Sequence, residues 1–152
     1  LPVEAGEVEV ERGEFVPQPG HRRVVDADGV IAHLRAGGTL HDVRGADRYQ
    51  GDNETVDPIA GHIPGALNLP VGSLVGAGGF APRAELLPKV GHVKPGDVLS
   101  CGSGITASAA MLAAEQLGIE DLVLYSGSWS NWITDPARPI ATGAEPGTYP
   151  EG

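Results

Sequence analysis

The chain reads as an α/β protein built on a central parallel sheet with helices on both faces, and three observations carry that reading. Short segments that read as strands recur at Leu40–Val43, Ala66–Leu69, Val98–Ser100 and Leu122–Tyr125. Stretches of helical composition stand between them, and strands alternating with helices imply parallel pairing. The length of 152 residues suits one domain with a substantial core.

Taken in order, residues 1–22 scatter Pro2, Pro17, Pro19, Gly6, Gly13 and Gly20 among glutamates and valines. No helical period survives there, which predicts an extended arm or interdomain linker. From Val24 the pattern changes. Asp28 is placed to cap a helix running through Ala36, with Val30, Ile31 and Leu34 on one side and Gly37-Gly38 as the stop. A strand over 40–43 then ends on Arg44. A helical turn over 47–50 leads into a polar loop, Gly51 to Gly61, and a second strand follows at 66–69. Gly76-Ala77-Gly78-Gly79 lacks the Lys-Ser/Thr of a phosphate-binding loop and reads as a flexible turn. A helix is expected over 84–90, interrupted by Pro88. The remaining elements are a strand at 98–100, a helix over 105–117 closed by Gly118, a strand at 122–125 and a short helix over 128–133. From Gly143 the composition is that of a loose tail. The expected division is an arm over 1–22, a domain over 23–143 and a tail over 144–152.

Charge and cysteine content narrow the function classes. A net charge of −10 argues against nucleic acid or an anionic membrane surface as partner. The single cysteine excludes an internal disulfide and leaves no metal-binding cysteine pair, which suits a reducing cytoplasm. The five histidines show no metal-ligand spacing, so neither metal nor cofactor is expected. No run is long enough for a membrane-spanning helix, and the start lacks a signal pattern. The chain opens on Leu1-Pro2 without an initiator methionine, which suggests a piece of a longer protein.

Cys101 is the candidate nucleophile. It follows an apolar strand and precedes Gly102-Ser103-Gly104-Ile105-Thr106-Ala107, which opens a helix. A thiol at such a turn faces free backbone N–H groups and the positive end of a helix, and both favour the thiolate. A lone cysteine is also a common buried hydrophobe; the glycines, which permit close backbone approach, tip the reading toward chemistry. Asp42, Arg44 and Arg48 fall beyond the carboxyl end of the first strand, the edge where open sheets bind ligands. Arginine beside a thiolate suits a small anionic substrate, with Asp47 and Asp52 as nearby carboxylates that could pair with Arg48.

Two other uses of the turn fit less well. Gly102 to Ala107 satisfies a dinucleotide fingerprint, but the next strand ends on Ser126-Gly127 rather than on an acid. A cysteine phosphatase would place arginine where Ala107 stands. Among other prominent residues, His62 is expected to tether backbone, and Trp129 and Trp132 to anchor the core.

Four ordered segments resemble the rhodanese superfamily of sulfurtransferases. They are Leu40-His41-Asp42-Val43-Arg44 with Arg48-Tyr49, then Gly61-His62-Ile63-Pro64-Gly65-Ala66-Leu67-Asn68, then Cys101 to Ala107, and finally Tyr125 to Trp132 with Pro139 to Gly143. The likeness is to the carboxyl-terminal catalytic domain of two-domain thiosulfate/3-mercaptopyruvate sulfurtransferases. It implies a rhodanese-like domain with a parallel sheet of about five strands, and a missing amino-terminal rhodanese half as partner. On this resemblance Cys101 takes a sulfane sulfur from thiosulfate or 3-mercaptopyruvate as a persulfide and passes it to cyanide or a thiol acceptor. Ser103 would relay a proton, and Arg48 would hold the anionic donor. The backbone of Gly102, Gly104, Ile105 and Thr106 would line the donor site, and Asp42 and Arg44 would be structural. The acidic loop 51–58 departs from the mercaptopyruvate pattern, which commonly places a second arginine there, and Ser126 and Asn131 replace the usual acids. The alternative reading is a noncatalytic sulfur-carrier or regulatory binding module on the same fold.

Overall fold

The structure is a computed structural model, and it describes residues 6, 7, 12–18, 20–72, 74–76 and 79–150. Part of the expected 1–22 arm lies outside the described residues. Those of it that are described, 12–18 among them, form neither helix nor strand.

Five short strands make one parallel sheet: β1 (Arg23–Val25), β2 (Leu40–Asp42), β3 (Ala66–Asn68), β6 (Val98–Ser100) and β7 (Val123–Tyr125). Their order across the sheet is β1-β7-β6-β2-β3. Strand β6 is central, with Leu40 facing Val98 on one side and Val123 facing Val98 on the other. Strand β2 is flanked by β3 and β6, and all three of its residues are buried. Alternation along the strands divides the core in two. Leu40, Ala66, Val98, Val123 and Tyr125 join Ala27, Val30, Tyr49, Trp129 and Trp132 in one cluster. Leu99 and Val43 join Leu86, Val90, Ala107, Ala110, Met111 and Ala114 in the other. Thus α1 (Ala27–Arg35), α2 (Ala46–Gln50) and α5 (Ser128–Trp132) cover one face, and α3 (Arg83–Val90) and α4 (Ile105–Glu115) the other.

Several local expectations need correction. The cap of α1 is Asp26, not Asp28. Asp26 has extended backbone and its Oδ1 accepts the N–H of Gly29 at 2.9 Å, while Asp28 sits in the first turn and contributes only its charge. Pro88 does not interrupt α3, which continues to Val90. Leu86 and Val90 are buried within the same cluster as α4, and that packing offsets the lost backbone bond. The glycine turn falls within a small antiparallel hairpin, β4 (Val75–Gly76) with β5 (Gly79–Phe80), whose tip lies outside the described residues. Strand β1, not expected from sequence, pairs with β7 over Arg23–Val25.

The carboxyl-terminal stretch is largely exposed but is anchored at Pro146 and Tyr149. Pro146 O accepts the N–H of Gly65 at 2.6 Å, and Tyr149 meets Trp132 edge-on at 6.2 Å. Upstream, His62 and Ala141 exchange backbone bonds of 2.8 and 2.9 Å. No helix among the described residues is long and apolar enough to cross a membrane.

Candidate active site

Cys101 leaves the carboxyl end of β6 and is 3% exposed. Its position is fixed from two directions. From α5, Ser128 Oγ accepts the Cys101 N–H at 3.0 Å and donates to Tyr125 O at 2.8 Å. The N–H groups of Trp129 and Ser130 donate to the carbonyls of Cys101 and Gly102 at 3.1 and 2.9 Å. Ser128 holds a left-handed backbone, φ +52°, unusual outside glycine. Its two side-chain bonds hold it there. Sequence reasoning missed this residue, since a serine in a Gly-Ser-Trp run carries no signal of its backbone angle.

The other direction is the turn into α4. Gly104 caps that helix with φ +84° and no side-chain cap, and its N–H donates to Cys101 Sγ at 3.2 Å. A Cβ at Gly104 would lie 2.5 Å from Ser126 O, so glycine is required there. The N–H groups of Gly102, Ser103, Ile105, Thr106 and Ala107 have no acceptor among the described residues. A helix start with unused N–H groups beside a thiol is an anion cradle. Ile105 and Thr106 expose their side chains, so their contribution to the cradle is backbone. Ser103 is also exposed, and its hydroxyl has no bond to another described residue.

Beneath the loop, Asp42 and Arg44 form a buried fork. Arg44 Nε lies 3.0 Å from both Asp42 oxygens and Nη2 lies 2.6 Å from Oδ2. Arg44 also donates to Gly61 O at 2.7 Å, and its guanidinium stacks 5.0 Å from the Trp129 ring centre. These two residues join β2, the 51–61 loop and α5. A buried charge demands such partners, and removing one side of the pair would cost about 3–5 kcal/mol.

Arg48 comes from α2 and reaches the loop. Its Nη1 lies 3.5 Å from where a Gly102 Cβ would stand. The expected partners Asp47 and Asp52 do not hold it. Glu54 does, through both carboxylate oxygens, at 3.1 Å to Nε and 2.8 Å to Nη2. Asp57 Oδ2 adds a contact to Nη2 at 3.2 Å. Asp47 instead accepts from Asn53 at 3.0 Å. Glu54 also accepts the N–H groups of Val56 and Asp57 and meets Arg44 at 3.3 Å. Burial pushes the Glu54 carboxyl up, but the hydrogen bonds from Arg48, Val56 and Asp57 with the Arg48 charge outweigh it, leaving Glu54 below its ordinary range. Burial likewise works against the charge on Arg48, and the carboxylates around it carry it above its usual value.

Two residues near this constellation serve the scaffold. His62 is fully buried, with Nδ1 bonded to Tyr49 O at 2.8 Å and its ring stacked 3.7 Å from that of Tyr49. Trp129 and Trp132 are buried, with indole N–H groups donating to Ile59 O and Pro139 O. Among the described residues, no group of three or more His, Cys, Asp or Glu side chains is arranged to hold a metal.

Comparison with known proteins places this arrangement. The model of the Rhodanese-like domain matches residues 26–135. The chain belongs to the rhodanese family. Over 148 residues this rhodanese-like chain is 36% identical to the 3-mercaptopyruvate sulfurtransferase of Escherichia coli K12, covering 92% of the chain and 52% of the relative. It is 39% identical over 149 residues to SseB of Mycobacterium tuberculosis, provisionally named a thiosulfate sulfurtransferase, covering 88% of the chain and 52% of that protein. The chain thus spans about half the length of these curated relatives. Among solved structures, EanB carrying a cysteine persulfide with ergothioneine superposes with a TM-score of 0.68 at 27% identity, over 79% of this chain and 32% of that one. Within the rhodanese frame, the structure brings Cys101, Gly102, Gly104 and Arg48 together over the Asp42–Arg44 fork. Glu54 and Asp57 are the members that the sequence reading missed. Asp42 balances only one of the two shielded arginines, and the acidic loop supplies the remaining counter-charge.

Proposed function

We propose that the chain is the sulfur-transferring unit of a rhodanese-type enzyme, with Cys101 as its nucleophile. The observation that carries this reading is the bond from Gly104 N–H to Cys101 Sγ at the start of α4. The Cys101 thiolate attacks the outer sulfur of thiosulfate; the new S–S bond forms as the donor S–S bond breaks, and sulfite leaves with the electron pair. With 3-mercaptopyruvate the C–S bond breaks instead, and the enolate of pyruvate leaves and takes a proton, which Ser103 relays. The persulfide then gives its outer sulfur to cyanide or a thiol, and the Cys101 thiolate returns. Two half-reactions through one covalent intermediate predict ping-pong kinetics.

Unused N–H groups from Gly102 to Thr106 stabilise the sulfur anion in both halves. Arg48 Nη1 meets the charged end of the donor, and the Asp42–Arg44 fork braces the 51–61 loop whose acids hold Arg48. The exposed side chains of Ile105 and Thr106 on the rim face a second rhodanese half, which completes the cleft. A reducing cytoplasmic compartment suits the free thiol.

The test uses thiosulfate and 3-mercaptopyruvate with the wild-type chain and Cys101→Ser. The wild type should gain the mass of one sulfur atom and release thiocyanate when cyanide is added. Cys101→Ser should fold with near-native stability, because the exchange is close to isosteric, and do neither. Thiocyanate formation by the serine variant would remove Cys101 from the mechanism. A sulfur adduct without turnover would favour a carrier module.

A further inference from the structure

Two guanidinium groups and three carboxylates meet beside the Cys101 loop: Arg44 and Arg48 with Asp42, Glu54 and Asp57. At neutral pH that set carries one excess negative charge. Glu54 alone would hold Arg48, since it takes both Nε and Nη2. Asp57 is therefore surplus to positioning by charge count, yet it is firmly placed. Its Oδ1 accepts from Ser130 Oγ at 2.7 Å while its Oδ2 faces Arg48 Nη2 at 3.2 Å. Ser130 is itself tied to the loop by its N–H bond to Gly102 O at 2.9 Å. Arg48 keeps only Nη1 without an acceptor among the described residues, on the side of Gly102.

We infer that Asp57 is a specificity-determining residue that selects the sulfur donor by charge, favouring a singly charged donor held through Arg48 Nη1 over a dianion. The inference rests on the reading of Cys101 as the sulfur-transfer nucleophile. Its physics is the product of charges. The one excess negative charge of this set repels a dianion twice as strongly as a monoanion at the same distance. With Arg48 already outnumbered, the guanidinium offers direction rather than net attraction. The backbone N–H cradle then carries the binding of the donor's anionic end.

The experiment measures kcat/KM for thiosulfate, with two negative charges, and 3-mercaptopyruvate, with one, for wild type and Asp57→Asn at low and high ionic strength. Asparagine keeps an acceptor for Ser130 Oγ and removes the charge together with the acceptor that faces Arg48 Nη2. Asp57→Asn should gain about threefold with mercaptopyruvate and about tenfold with thiosulfate, the second gain being close to the square of the first. Salt should raise the wild-type efficiency for thiosulfate, and do so less for the variant. Equal changes for the two donors would make Asp57 merely structural and overturn the inference. So would a wild-type thiosulfate rate that falls with salt, a result that needs no variant to fold. Absence of a Cys101 persulfide with either donor would instead overturn the function reading, and the inference with it.

Discussion

The backbone of Gly104 passes under the carbonyl of Ser126 so closely that a Cβ would stand 2.5 Å from the oxygen. The same glycine donates its N–H to Cys101 Sγ. Gly104→Ala should therefore cost about 1–3 kcal/mol of stability for the left-handed backbone alone. It should also slow sulfur transfer about tenfold or more as the donor to sulfur shifts away. Gly102→Ala is the control: its Cβ would sit 3.5 Å from Arg48 Nη1, an ordinary contact, and its φ is not positive. It should keep native stability and raise KM by crowding Arg48. Thermal melts and steady-state rates on both variants check this, and a Gly104→Ala protein with native melting and rate would refute it.

Arg48 is placed to meet the donor, and a charged hydrogen bond is worth roughly 1.5–3 kcal/mol. Arg48→Ala should lower kcat/KM about tenfold to a hundredfold for either donor. Arg48→Lys should recover only part, because an ammonium cannot satisfy Glu54 and Asp57 as a fork while pointing a third group at the loop. Unchanged values for both donors in Arg48→Ala would confine Arg48 to bracing the acidic loop.

Acid should unfold the chain partly through Glu54. Its folded-state value is lower than the ordinary 4.5, so between the two the folded chain binds fewer protons than the unfolded one. Its contribution is complete above about pH 4.5 and is lost as pH falls through the lowered folded value. Melting temperature followed from pH 7 to pH 3 should drop in that window. Glu54→Gln should start less stable and show a shallower drop; an identical pH profile would show that Glu54 is not a source of the acid lability.

The alkaline limb has a different source. Burial raises Tyr49 and Tyr125 from 10.0 to about 12. The folded chain thus keeps phenol protons that the unfolded chain sheds. Their contribution to stability is whole below pH 10 and lost as pH rises through about 12. Tyr49 donates that proton to Ala66 O at 2.6 Å, which ties α2 to β3. Phenolate absorbance and melting temperature should move together above pH 10. Phenolate appearing at pH 10 in a fully folded Tyr149→Phe chain, in which Tyr49 and Tyr125 are the remaining tyrosines, would contradict the burial argument.

What sequence made legible follows the range of the forces involved. Strand β6 announces itself through the apolar pair Val98-Leu99, β2 and β3 through short runs carrying leucine, and α4 through its alanines, because each is decided within its own segment. Strand β1 is not, since Arg23-Val24-Val25 becomes a strand only by pairing with β7. Asp26 and Asp28 are chemically equal as caps, and only the backbone angle of Asp26 separates them. At the site, Cys101 and its glycines were readable as a turn. The roles of Glu54 and Asp57 were not, because an acidic loop looks solvated until the arginines beneath it are known to be shielded from water.

The order β1-β7-β6-β2-β3 also governs how the chain can be made. Strand β1 leaves the ribosome first of the five, yet its neighbour β7 lies a hundred residues downstream. The central strand β6 likewise arrives after β2 and β3, which already pair with each other. Early in synthesis β1, β2 and β3 therefore lack the two strands that join them into one sheet, with Val98 and Leu99 still to come between them. Such long-range closure slows folding and leaves apolar strand edges exposed while translation continues. A truncation before Val123 would strip β1 of β7, its one strand partner among the described residues, and leave β6 an open edge, so such products are expected to aggregate rather than to persist as smaller folded sheets.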